Sequence, residues 1–259
     1  MGTQRIRNEL GDLANKPLVE AIFELRWSLD ENVDESWELL PGLYYSKVRD
    51  QYPHLENLPI SKVPAQMALD IVRHRFRPEK DSWPLIQLGP GVLTVNETGG
   101  YTVWEEFLPR IVSAVKALSD VYPEFRIKRA ELRYINAVPF DIQSESLIEF
   151  LSDKLHLRVE PPELFDGEDT TSMASNAHIQ LDFPLKKPKG LGGVSVALGE
   201  KDNQPGVIFH LLVRSDRPEV PEDPEKLEVW AGDAHDIIDE WFMTFCEGKL
   251  LRQFKETSV

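Results

Sequence analysis

Arg73, Arg75 and Arg77 stand two residues apart. In a strand, successive side chains point to opposite faces, so this spacing sends all three guanidinium groups from one face. A guanidinium is a planar, permanently charged fork that matches phosphate and carboxylate. The three arginines are therefore candidate anion-binding residues, for a nucleotide or RNA, and the competing reading is a basic strand face paired with nearby acids. A second set mixes signs at the same spacing: Glu24 with Arg26, and Glu131 with Arg133. These four are candidates for a central charge network. Two carboxylates can also share acid–base work, but that chemistry needs a nucleophile or a metal beside them, and the sequence supplies neither. His235 and Asp239 lie one helical turn apart, where a carboxylate can orient an imidazole. They are read as a surface or interface pair.

The other chemistry-bearing residues assemble into nothing. The six histidines form no H-E-x-x-H pair and no Cys/His cluster, so no zinc site is expected. Cys246, the single cysteine, stands among Trp241, Phe242 and Phe245 and reads as buried and inert. Gly89-Pro90-Gly91 and Gly190-Leu191-Gly192-Gly193 match no phosphate-binding loop and read as hairpin turns. Lys186-Lys187-Pro188-Lys189 is a basic turn too short to argue for nucleic acid. No catalytic, metal-ligating or cofactor-binding residue is assigned, and no cofactor is expected.

The elements that must position these residues come in two similar series. Phe23-Glu24-Leu25-Arg26-Trp27 alternates as a half-buried strand and returns as Ala130-Glu131-Leu132-Arg133-Tyr134. Val103-Trp104 opens an amphipathic helix and returns as Val229-Trp230, again ahead of a helix. Both halves read strand, helix, hairpin, helix. In the first, a helix from Asp34-Glu35-Ser36 to about Gln51 is expected to break or kink at Pro41-Gly42, with a loop over 52–65 and strands at 71–77, 85–88 and 92–95. In the second, Ser144 is expected to cap a helix, residues 160–172 form a loop, strands follow at 178–183, 193–198 and 207–213, and a last helix covers about 225–246. The fold class is therefore α+β: two pseudo-repeated strand–helix–antiparallel-sheet–helix units forming a curved-sheet body. By analogy this is TATA-binding-protein-like or helix-grip-like, a likeness that carries no function. The organisation is a flexible N-terminus at 1–16, a first unit at 17–125 and a second at 126–259, fused into one globular body.

With 29 basic and 44 acidic residues, the chain carries a formal charge of −15. Phosphate attraction needs a positive field, so general DNA binding is excluded. The acid is concentrated: Glu219 to Glu240 holds nine carboxylates against Lys226 alone, and Asp141 to Asp169 holds nine against Lys154 and Arg158. Such runs solubilise a surface or dock a basic protein. No apolar run nears the roughly 20 residues that span a bilayer. A lone cysteine and a polar N-terminus fit a reducing compartment, so the expectation is a cytoplasmic protein without membrane association.

Pro17-Leu18-Val19-Glu20-Ala21-Ile22-Phe23-Glu24-Leu25-Arg26-Trp27 resembles the opening motif of a sporadically distributed, uncharacterised bacterial and archaeal family of similar length. Leu132-Arg133-Tyr134-Ile135-Asn136 resembles that family's middle strand, and Asp233-Ala234-His235 followed by Phe242 resembles its C-terminal Asp-x-Ala-His helix in part, without the intervening residue. The resemblance implies a shared fold and no established activity. A patchy distribution is the habit of accessory genes, including antiviral (for example CRISPR-associated) systems. The reading is a non-enzymatic protein-interaction or regulatory accessory protein with a basic protein partner. The alternative is a nucleotide- or RNA-binding module using Arg73, Arg75 and Arg77. A third reading is an enzyme whose residues meet only in the fold.

Overall fold

A computed structural model describes residues 13–28, 36–67, 69–98, 103–160 and 174–256. Among the described residues, nine strands form one antiparallel sheet: β1 (Leu18–Ser28), β2 (His54–Asn57), β3 (His74–Arg77), β4 (Leu85–Gly89), β5 (Val92–Thr98), β6 (Arg126–Pro139), β7 (His178–Lys186), β8 (Lys189–Lys201) and β9 (Gln204–Asp216). Their order across the sheet is β2-β3-β4-β5-β1-β6-β9-β8-β7. Five helices accompany them among the described residues: α1 (Ser36–Val48), α2 (Trp104–Val121), α3 (Leu147–Leu155), α4 (Leu227–Phe245) and α5 (Lys249–Lys255). No helix is long and apolar enough to cross a membrane among the described residues. The fold is α+β.

The middle of the sheet follows from period-two alternation. Ala21, Phe23, Leu25 and Trp27 are buried on one face of β1, opposite Tyr134, Leu132, Ala130 and Ile127 of β6. Fully burying side chains of this size stabilises a fold by about 1.5–3 kcal/mol each, so a one-residue slip that turned them outward would be strongly disfavoured. A register shift falls between Arg26 and Trp27: Arg26 faces Arg129, while Trp27 faces Ile127. The extra residue, Lys128, lets Trp27 and Ile127 both stay in the core, where Trp27 meets Phe125 edge to face at 6.0 Å. The helices cover this face. α2 packs on α4 and β5, α4 on β9 and β6, and α1 on α2 and β3. Trp230 of α4 reaches Phe23 at 6.4 Å and donates its indole N–H to Ser215 Oγ at 2.9 Å.

Several local expectations are corrected. α1 runs unbroken through Pro41. Its buried stripe of Trp37, Leu40, Tyr44 and Val48, with Tyr44 donating to the Ala114 carbonyl at 3.2 Å, outweighs the hydrogen bond that proline removes. The loop over 52–65 contains β2 and a 3-10 turn, and β3 begins at His74 rather than residue 71. The cap of α3 is Ser146, whose Oγ accepts from the Glu149 N–H, while Ser144 bonds to Asp141. Gly190 to Gly193 lie inside β8, and the turn before them is Lys187-Pro188. Leu13 is buried and Asn15 donates its backbone N–H to the Phe254 carbonyl at 2.8 Å, so the segment expected to be flexible is tied to α5 at that end. The Asp34-Glu35 start of α1, and residues 161–172 of the expected loop with the 161–169 end of the Asp141–Asp169 acidic run, lie outside the described residues.

Candidate interaction face

On β1 and β6 the side chains turned away from the buried Phe23, Leu25, Ala130 and Leu132 are mainly charged, Glu20, Glu24, Arg26, Arg129, Glu131 and Arg133, with Ile22 and Ile135 among them. At the centre Glu24 of β1 stands opposite Glu131 of β6. Like charges directly opposite on neighbouring strands repel, and each carboxylate is neutralised along its own strand. Arg26 donates Nε to Glu24 Oε1 at 2.5 Å, and Arg133 donates Nη2 to Glu131 Oε1. The hydrogen bond that Arg26 donates to Glu24 is the main reason its guanidinium is held above its ordinary range, with Asp70 at 3.9 Å adding to it. The structure thus brings all four residues of the expected charge network together. It adds three that sequence reasoning missed: Arg214 is the β9 neighbour of Glu131, and Asp216 takes Arg129 at 2.6 Å and Arg214 at 3.0 Å. The signal was available in the polar positions of the Arg126–Ala130 and Leu211–Asp216 alternations, but strand neighbourhood was not.

The network continues toward β2 as a hydrogen-bonded chain. Arg75 donates Nε to Gln87 at 3.0 Å, Gln87 donates to Thr94 and Asn96, and Asn96 donates to Glu20 at 2.7 Å. The three arginines proposed for anions do not form an open row. Arg73 lies one residue before β3 and donates to the carbonyls of Val63 and Pro64. Arg77 donates to the Ser82 carbonyl at 2.7 Å, sits over the Trp83 ring at 5.6 Å and pairs with Glu56 at 3.5 Å. Arg75 shares Glu56 at 3.6 Å. Burial also pulls the Arg73 guanidinium below its ordinary range. Each of the three already meets acceptors inside the fold.

The expectation of a surface pair at His235 and Asp239 is corrected: both are buried, at 3% and 8% exposure. The His235 ring stacks on Trp104 at 4.2 Å and 6° and shares a 3.0 Å hydrogen bond, through Nδ1, with the Tyr134 hydroxyl. A helix whose imidazole face points at α2 and β6 packs it rather than presents it. Cys246, at the C-terminal end of α4, is buried, and burial pushes its thiol far above the usual range, which keeps it protonated and unreactive.

The acidic surface has the opposite character from the arginines. Glu219, Glu222, Glu225 and Glu228 are exposed, and no ion pair engages them among the described residues. Val229, 66% exposed, lies beside Glu228. Glu222, Glu225 and Glu228 thus lead into α4 as a run of free carboxylates ending at an exposed apolar side chain. No protein-family model matches the chain, and no curated protein matches it either.

Proposed function

We propose that this is a non-enzymatic protein-interaction or regulatory module that docks a basic protein partner through the acidic run from Glu219 to Glu228. The observation that carries this reading is the contrast between the two charged surfaces. Arg73, Arg75 and Arg77 are spent on internal acceptors, whereas Glu219, Glu222, Glu225 and Glu228 are exposed with no ion pair among the described residues, and of that run only Asp223 is engaged, accepting the Glu225 N–H at 3.0 Å. Charged groups left without internal partners steer and select a partner, and Val229 among them offers an apolar contact at the same place. The alternative, a nucleotide or RNA on the three arginines, draws less support because binding would first have to break their internal bonds.

We read the body as duplicated in the TATA-binding-protein-like manner. Support comes from the strand order: β5-β4-β3 leads outward from β1, and β9-β8-β7 leads outward from β6, with β2 added at one edge. Superposing residues 18–120 on 126–247 tests this, and unrelated paths after the central pair would end it. The family resemblance, the cytoplasmic setting and membership of an accessory or antiviral system rest on the sequence motifs alone.

The docking surface is tested by reversing Glu222, Glu225 and Glu228 to Lys together, beside Arg75→Gln. A basic partner retained on the wild-type protein from source-cell extract should be lost from the triple variant and kept by Arg75→Gln. Its affinity should also fall as salt rises. Retention by the triple variant with loss after Arg75→Gln would overturn the reading in favour of the arginine surface.

A further inference from the structure

The basic turn Lys186-Lys187-Pro188-Lys189 forms the end of the β7–β8 hairpin, and the fold brings two of its lysines against residues far along the chain. A cleft of about 500 Å³ is lined by Leu185, Lys186, Lys189, Gly190, Leu191, Arg214, Asp216 and Glu219. Three of these side chains are cations. Asp216 is shared between Arg214 and Arg129, so that triplet carries a net positive charge. Glu219 also lines the cleft and is exposed, so the three cations outnumber the two lining carboxylates, Asp216 and Glu219. Lys186 and Lys189 have no ion pair among the described residues, whereas Lys187 between them pairs with Asp233 at 3.0 Å and is thereby committed elsewhere. In a chain with a formal charge of −15, this is a local concentration of unspent positive charge at a concavity.

The backbone fixes the β8 side of the cleft closely against β9. Gly190 adopts φ +154°, and a Cβ there would lie 2.1 Å from the Arg214 carbonyl oxygen, so no other residue fits the close passage of β8 along β9. Ser215 Oγ donates to the Lys189 carbonyl at 2.5 Å and fixes the turn against β9. Lysine ammonium groups are mobile point charges with three donors each, and a guanidinium with one edge held by Asp216 still has donors to offer. Together they suit a compact oxyanion of high charge. The cleft is larger than one such group and within the range of small-ligand sites. Leu185 and Leu191 supply apolar wall for the remainder.

We propose that this cleft binds a phosphorylated small molecule, with the phosphate held by Lys186, Lys189 and Arg214 and the organic part against Leu185 and Leu191. The proposal does not rest on the docking reading: Glu219 is common to both surfaces, but the cations that would hold the phosphate, Lys186, Lys189 and Arg214, lie outside the acidic run. The probes are inorganic phosphate, phenyl phosphate and citrate, titrated into the full chain while backbone amide resonances are followed. Phenyl phosphate should saturably shift Gly190, Leu191 and Arg214, more tightly than inorganic phosphate because it also fills the apolar side. Lys186→Gln and Lys189→Gln should each weaken it by about tenfold, the usual scale of a charge-assisted hydrogen bond. Lys187→Gln, and the triple reversal of Glu222, Glu225 and Glu228, should leave the site able to bind. Absence of a saturable shift would overturn the proposal, as would equal weakening by Lys187→Gln, which marks a general lysine effect. Tighter binding of citrate than of phenyl phosphate would overturn the phosphate assignment, and equal binding of phosphate and its ester would overturn the organic part.

Discussion

At the scale of single residues, charge and burial set measurable properties. His210 on β9 is half-buried, and burial, with the Arg133 charge nearby, holds its imidazole below the ordinary range. The unfolded chain titrates histidine near about 6.5. Below that value the unfolded state takes up a proton that native His210 refuses, so stability falls as pH drops through about 6.5 and levels off below the folded pKa. His74, bonded through Nδ1 to Asn57 at 2.8 Å and pulled down mainly by burial, acts in the same direction. His210→Gln should therefore flatten the pH dependence of stability on the acid side of neutrality. Urea denaturation at a series of pH values between about 5 and 8 checks this, and an unchanged slope would show that His210 titrates freely. The same scale explains why Glu24 and Glu131 were legible as a network. Their spacing to Arg26 and Arg133 is local, and a strand fixes it. Arg214 and Asp216 were not legible, because only the pairing of β6 with β9 brings them there.

At the scale of elements, the strongly alternating segments were readable and the short or exposed ones were not. β1 and β6 announce themselves through Phe23, Leu25, Ala130 and Leu132, whose burial is enforced by both neighbours. β2, only His54 to Asn57, is a strand because β3 offers it an edge, and its four residues carry too little pattern to show this in advance. The glycines of β8 misled for a physical reason. Gly192 looks like turn chemistry, yet it makes room for α4: a Cβ would lie 2.3 Å from Trp241 Cη2. Trp241 in turn meets Phe183 of β7 edge to face at 5.8 Å. Gly192→Ala should cost about 1–3 kcal/mol by overpacking. Adding Trp241→Leu should recover part of that loss, as a double-mutant cycle in urea would show. Strict additivity would mean that the indole simply swings aside.

At the scale of the whole molecule, the two sides of the sheet are joined by backbone hydrogen bonds and also by packing in the helix layer, where α2 meets α4 and Trp230 meets Phe23. β1 and β6 pair along nearly their full length, and the core on the helix side runs without a break from Phe76 through Phe23 to Phe209. Unfolding should therefore be a single cooperative transition. Tryptophan fluorescence, with reporters at Trp27, Trp104 and Trp230, and far-UV circular dichroism should give superimposable urea curves. Two separated transitions would mean that the units are energetically independent despite sharing a sheet.

The central place of β1 has a consequence for biosynthesis. Among the described strands β1 leaves the ribosome first, and it needs partners on both sides: it receives β5 only after α1, β2, β3 and β4 have been made, and β6 only after α2 has followed. Until then one edge of an eleven-residue strand carrying Phe23, Leu25 and Trp27 has nothing to pair with. An open apolar edge of this kind recruits other chains. Vectorial synthesis thus makes the middle of the finished sheet the most exposed part of the nascent one, and a chain stalled before Arg126 would be left holding an adhesive edge.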